Sequence, residues 1–179
     1  MIAAILCPGQ SLMQTWPNAG PVYDLVLTVN TAGKLIQGDW LCAGDKSFFR
    51  GLLGDCPRPR SGILCTPESV YGAIIWGAPD IAGSQVIGWP EVPLIEEHTK
   101  RGRPINWTVQ SALCFAAHLG TLHVDLYGAD GAASTSTIDA SGYRGEDRTA
   151  ERWAREESDL SWTRTILAEF GTTVNRIAP

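Results

Sequence analysis

Short apolar runs, each closed by turn residues and none strictly alternating with polar residues, recur along this chain at 2–7, 24–30, 39–43, 61–65 and 122–127. A strand with one wet face alternates, whereas a strand covered on both faces need not. Helical periodicity fills the intervals. In 105–119, Leu113, Ala116 and Ala117 continue the face begun by Val109, and Gly120 follows as a natural stop. In 147–170, Trp153, Leu160, Ile166, Leu167 and Phe170 lie near one face, Glu151 and Arg155 have ion-pair spacing, and Gly171 precedes a last strand at 172–177. Covered strands alternating with helices predict an α/β fold: a Rossmann-like three-layer sandwich with a mainly parallel sheet, in one domain over residues 1–179.

A chain of 179 residues with 44% apolar and 18% charged residues buries about 70% of its unfolded surface, enough to fold without disulfides or metal. The net charge of -5 argues against nucleic acid as a partner, because such proteins carry a basic face. The five cysteines, Cys7, Cys42, Cys56, Cys65 and Cys114, are odd in number and form no Cys-x-x-Cys pair. They read as reduced thiols, four of them inside apolar runs. The opening MIAAILC lacks a charged leader, so it reads as a strand. No apolar stretch reaches the roughly 18 residues that span a bilayer. A soluble, cytoplasmic protein is expected, with self-association left open.

Three segments break the pattern. Residues 54–60 hold two prolines in three positions and read as a loop. Residues 77–104, with four prolines and four glycines, predict short strands and connections, after one or two helical turns in 67–76. Residues 129–146 are small, polar and aperiodic, the composition of a functional lid or a disordered segment.

Ligands of open parallel sheets bind beyond the carboxyl ends of the strands, where the strand order reverses. The first strand ends in Cys7-Pro8-Gly9-Gln10-Ser11-Leu12. There glycine permits close backbone approach, and the serine can cap a following helix and donate to a phosphate or ribose oxygen. The second strand ends at Asn30, the third at Asp45, and the strand at 122–127 leads to Asp130. Asn and Asp also form ordinary turns, but four such ends together suggest a site. Asp130 and Asp45 are the candidate catalytic residues: an aspartate at a strand end can take a proton from an acceptor hydroxyl or hold magnesium beside a nucleotide's phosphates. Metal-ligand spacing among His98, His118 and His123 is absent; only His98 is a candidate base.

Arg144, Arg148, Arg152 and Arg155 run into the start of the last helix, the final three on one face. That face is either solvated and paired with Glu151, Glu156 and Asp159, or a clamp on nucleotide phosphates. The sequence carries no Gly-x-Ser-x-Gly elbow, Walker loop or Gly-x-Gly-x-x-Gly turn. Hydrolases, P-loop kinases and standard dehydrogenases therefore drop back.

The series CPGQSL, DLVLTVNTA and WTVQSALCFAAHLGTLHVDLYGAD, followed by a long helix and a final strand, resembles the small single-domain bacterial sialyltransferases. It is also similar to the archaeal 6-hydroxymethylpterin diphosphokinase group, whose first turn reads Gly-Pro-Ser-Leu; short members of this kind occur in bacteria and their phages. Carried over by position, the resemblance implies that Gly9, Gln10, Ser11, Asn30 and Thr108 hold a nucleotide and that Asp130 is the acid after the next strand. Arg155 stands where the sialyltransferases have their catalytic histidine. A guanidinium stays protonated and makes a clamp, not a base, so Arg148, Arg152 and Arg155 join the nucleotide-binding set. The resulting expectation is a nucleotide-dependent transferase with a nucleotide-sugar donor and a small-molecule or glycan acceptor. The alternatives are a non-catalytic nucleotide-binding protein of the same fold and a magnesium-dependent pyrophosphokinase.

Overall fold

The five apolar runs and the final segment all form strands, joined by one more at 85–88: β1 (Ile2–Leu6), β2 (Leu25–Val29), β3 (Trp40–Ala43), β4 (Gly62–Cys65), β5 (Gln85–Gly88), β6 (His123–Tyr127) and β7 (Thr173–Arg176). The structure is a computed structural model that describes residues 1–16, 22–44, 56–66, 85–130, 139–142 and 149–178. All neighbouring strands are parallel, in the order β5-β4-β3-β2-β1-β6-β7. The central strands are apolar throughout because both faces are covered: Ala3, Ala4, Ile5 and Leu6 of β1 are each fully buried.

The helices are α1 (Leu12–Thr15), α2 (Ala32–Leu35), α3 (Pro93–Lys100), α4 (Thr108–His118) and α5 (Ala150–Glu169). Side chains of α3, α4 and α5 share one core with the odd-numbered residues of β1 and β2. Within it Phe115 of α4 meets Trp40 of β3 edge-to-face, with ring centroids 4.7 Å apart. Leu12 of α1 and Ala32 of α2 pack with Ala4, Leu6 and Tyr127 on the opposite face. Among the described residues the long helices therefore lie on one side of the sheet.

Gly120 and Gly171, at φ +86° and +79°, end α4 and α5. Thr149 caps α5, its hydroxyl accepting the Arg152 N–H. Helix α3 lies where only short strands and connections were expected. Pro93 opens that helix at its first position, where no N–H is needed, and Glu96–Lys100 and Glu97–Arg101 form ion pairs along it. The expected Glu151–Arg155 pair gives way to Arg152–Glu156, at 3.6 Å. Glu151 turns toward the helix start instead, where a backbone N–H and the Thr149 side chain lower its carboxyl pKa.

Residues 67–76, 77–84, Asp45, Arg144, Arg148 and most of 129–146 lie outside the described residues. Among the described residues no helix is long and apolar enough to cross a membrane. No disulfide joins the described cysteines, and Cys7, Cys42, Cys65 and Cys114 are buried.

Candidate functional site

Strand β1 lies between β2 and β6, and the chain winds outward from it in opposite directions. In open parallel sheets such a reversal marks the usual ligand side, beyond the carboxyl ends of the flanking strands, here β1 and β6. The turns after these two strands touch backbone to backbone: the Gly9 N–H donates to the Gly128 carbonyl at 2.9 Å. A Cβ on Gly9 would sit 2.2 Å from that oxygen and 2.6 Å from an Asp130 carboxylate oxygen. Gly128 itself has φ +63°, and a Cβ there would lie 2.2 Å from the Cys7 carbonyl. The contact thus requires glycine on both turns.

Ser11 is buried, and its N–H donates to Asp130 Oδ2 at 3.0 Å while its hydroxyl donates to Asp130 Oδ1. The expected helix-capping role of Ser11 is therefore not realised; it has no side-chain cap bond on α1. Its hydroxyl has one proton, and the Asp130 carboxylate on the neighbouring turn takes it. Gln10 is exposed at the tip of the turn. Cys7 is closed to chemistry, because burial pushes its thiol pKa up to about 12 despite the nearby Arg176 charge.

Asn30 ends β2 in the left-handed region, at φ 49°, a conformation that Asn tolerates better than most residues. Its N–H is held by the Cys42 carbonyl at 2.9 Å. Its side-chain Oδ1 is buried without a hydrogen-bond partner among the described residues. Beside it the Thr31 hydroxyl donates to Asp139, which also accepts the Ser141 N–H at 2.8 Å. The Ala140 N–H donates to the Pro8 carbonyl at 2.8 Å. Residues 139–142 thus fold back over the ends of β1 and β2.

Beyond β3, Thr108 opens α4. Its hydroxyl would lie 2.9 Å from a Cβ on Gly44, and the Trp89 ring would lie at 3.5 Å. The start of α4 is tightly held. Gln110 Oε1 accepts the Asn106 and Trp107 N–H groups at 3.0 and 3.1 Å. Asp159 Oδ2 accepts Asn106 Nδ2 and Trp107 Nε1 at 3.1 and 3.0 Å. Arg152 stacks its guanidinium over the Trp107 ring, 5.4 Å from the centroid, and Arg155 is exposed.

The structure thus joins Gly9, Ser11 and Asp130 directly and sets Asn30 and Thr108 on the same rim. Arg152 faces the loop that opens α4. Asp45 and Arg148 are outside the described residues, among which no three His, Cys, Asp or Glu side chains are grouped to share a metal ion. His98 is not a base at this site. It is fully buried between α3 and α5, with Nδ1 donating to the Arg103 carbonyl at 2.6 Å and Nε2 2.9 Å from the Thr163 hydroxyl. His118 is exposed near the end of α4, and His123 begins β6 at the opposite edge of the sheet.

Arg176 escaped the sequence reading. From the end of β7 its Nη1 meets Glu157 at 2.8 and 3.1 Å, and its Nη2 donates to the Ala129 carbonyl. Its only sequence signal was an arginine closing a strand.

An all-parallel α/β sandwich whose two turns at the strand-order reversal meet through glycines is the class of protein that these features define. The chain resembles the sialyltransferase CST-II in complex with a trisaccharide acceptor and CMP, with a TM-score of 0.63 and 13% identity over 100% of this chain and 82% of that one. It likewise resembles CstII from Campylobacter jejuni in complex with the substrate analogue CMP-3FNeuAc, with a TM-score of 0.59 and 13% identity over 100% of this chain and 81% of that one. At this identity the likeness establishes the fold. No protein-family model and no curated protein matches the sequence.

Proposed function

We propose that this chain is a nucleotide-dependent transferase of the glycosyltransferase kind, which takes a nucleotide-sugar donor in a crevice at the carboxyl ends of β2, β1 and β6. The observation that carries the reading is Asn30 Oδ1 at the end of β2, buried without a hydrogen-bond partner among the described residues. A buried acceptor left unpaired is costly, and a ligand N–H or O–H would satisfy it. The turn Gly9-Gln10-Ser11 would face the nucleotide, with Thr108 at the positive end of α4 close to its phosphate or ribose. Arg148, Arg152 and Arg155 are the proposed cationic contacts, and Asp130 and Asp45 the acids. Both Asp130 oxygens already accept from Ser11, which suits Asp130 to orienting the turn; each oxygen keeps a further lone pair for an acceptor hydroxyl.

The structural neighbours hold CMP or its sialic acid analogue, so CMP is the first probe. A thermal-shift and calorimetric panel of CMP, CDP, UDP, GDP, ATP and CMP-sialic acid, with and without magnesium, tests the proposal. Cytidine-nucleotide binding followed by donor hydrolysis supports it; no stabilisation by any nucleotide removes it.

One observation favours a second reading, of a binder without turnover. Among the described histidines none reaches the crevice, and the position aligned with the sialyltransferases' histidine holds the exposed Arg155. Nucleotide binding with no donor hydrolysis or transfer would select it, and magnesium-dependent ATP binding would point to pyrophosphate transfer instead.

A further inference from the structure

Arg176 faces α5 because it shares the side of β7 that Val174 turns to the core. Its guanidinium is a fork with two occupied arms. One grips the Glu157 carboxylate of α5, and the other donates to the Ala129 carbonyl. Ala129 is the residue between the two acceptors that hold the β1 turn: the Gly128 carbonyl accepts from Gly9, and the Asp130 carboxylate accepts twice from Ser11. The Ala129 carbonyl belongs to the peptide leading into Asp130, so fixing it fixes the direction from which the Asp130 side chain departs. The guanidinium is also close enough for its charge to act on the buried Cys7 thiol.

We propose that Arg176, braced by Glu157, is a positioning residue that sets the β6 turn and, through Asp130, aims the Gly9–Ser11 cradle at its ligand. The functional half rests on the crevice being the nucleotide site; the bracing half does not. Geometry as well as charge matters, since a lysine keeps the cation but cannot hold both arms of the fork.

The test compares R176K and E157Q with R164K, which alters another α5-to-β7 tether, the Arg164 contact to the Val174 carbonyl. Amide hydrogen exchange at Gly9 and Ser11 is read without ligand, CMP affinity by calorimetry, and the melting temperature alongside. Exchange at both amides is expected to accelerate in R176K and E157Q, and CMP affinity to fall about tenfold, with the melting temperature near that of wild type. R164K should leave both readouts unchanged. Unaltered Gly9 and Ser11 exchange in R176K, or an equal change in R164K, would overturn the bracing. CMP affinity unchanged in R176K despite faster exchange would overturn its role in the site. If wild type binds no nucleotide, the reading of the crevice falls, and the exchange arm still decides the bracing.

Discussion

Ser11 gives both its backbone N–H and its hydroxyl to the one carboxylate of Asp130, across 119 residues of sequence and from one strand end to the next. The pair ties the turn after β1 to the turn after β6 at the place where the sheet reverses its winding. D130N replaces one acceptor oxygen with a donor and strands one of the two Ser11 groups. Stability is expected to fall by about 1–3 kcal/mol, the usual effect of leaving a buried hydrogen-bonding group unpaired, and CMP affinity to fall with it. Denaturant titration and calorimetry on the same preparations check both.

Gly9 allows the two turns to touch. G9A places a methyl 2.2 Å from the Gly128 carbonyl, a backbone atom that cannot swing aside. Overpacking of this kind costs about 1–3 kcal/mol or more. G102A is the control: Gly102 has φ +91° but nothing within 4 Å of its Cβ, so only backbone strain of about 1–2 kcal/mol applies. Denaturation midpoints should rank wild type above G102A and G102A above G9A, with nucleotide binding lost only in G9A.

Gln110 uses its whole hydrogen-bonding capacity. Its oxygen accepts from Asn106 and Trp107, and its amide donates to the Asp159 carbonyl at 3.2 Å and to Thr163 Oγ1 at 2.9 Å. It is fully buried and ties the start of α4 to α5. Q110A is expected to destabilise by about 2–4 kcal/mol, from a cavity together with partners left unsatisfied. Q110E should also destabilise, since it exchanges two donors for a buried acceptor. Chemical denaturation of both variants measures this, and Thr108, two residues earlier, should show altered amide shifts.

His98 makes the fold sensitive to acid. Burial lowers its pKa below the ordinary 6.5, and the neutral ring donates from Nδ1 to the Arg103 carbonyl, with Nε2 2.9 Å from the Thr163 hydroxyl. The unfolded chain binds a proton near pH 6.5, before the folded protein does. Stability contributed by the neutral ring is therefore present above that pH and declines as pH falls toward the lowered folded value. Urea titrations from about pH 7.5 to about pH 5 should show this decline, and H98Q should flatten it. An identical slope in H98Q would assign the pH dependence to other groups.

The sheet was legible because both of its faces are covered. Burial on two sides writes itself into the sequence as unbroken apolar runs, and Ile2–Leu6 and Leu25–Val29 carry it plainly. Helices α4 and α5 showed through their period and their closing glycines. Helix α3 was hidden because Pro93, read as a breaker, is a helix opener at its first position. Residue type and strand-end position brought Ser11, Asn30 and Asp130 forward as candidates. They could not reveal whose hydrogen bonds go where: the Ser11 hydroxyl left its helix for an acceptor 119 positions away. Arg176 was out of reach for the same reason, since its role exists only once β7 pairs with β6 and faces Glu157.

Asn30 separates stability from binding more sharply than any other residue on the rim. Its backbone is left-handed, at φ 49°, and its buried Oδ1 has no partner among the described residues. Glycine adopts that backbone without strain and removes the unpaired oxygen. N30G should therefore be at least as stable as wild type, while N30A, which keeps a Cβ in the left-handed region, should lose about 1–2 kcal/mol relative to N30G. If the oxygen is held in reserve for a ligand donor, both variants should bind CMP about tenfold more weakly, the effect of one lost hydrogen bond to a buried acceptor. Denaturation and calorimetry on the three proteins give the answer. A gain or parity in stability with loss of affinity marks Asn30 as a binding residue kept at the expense of the fold, and unchanged affinity in N30G would remove it from the site.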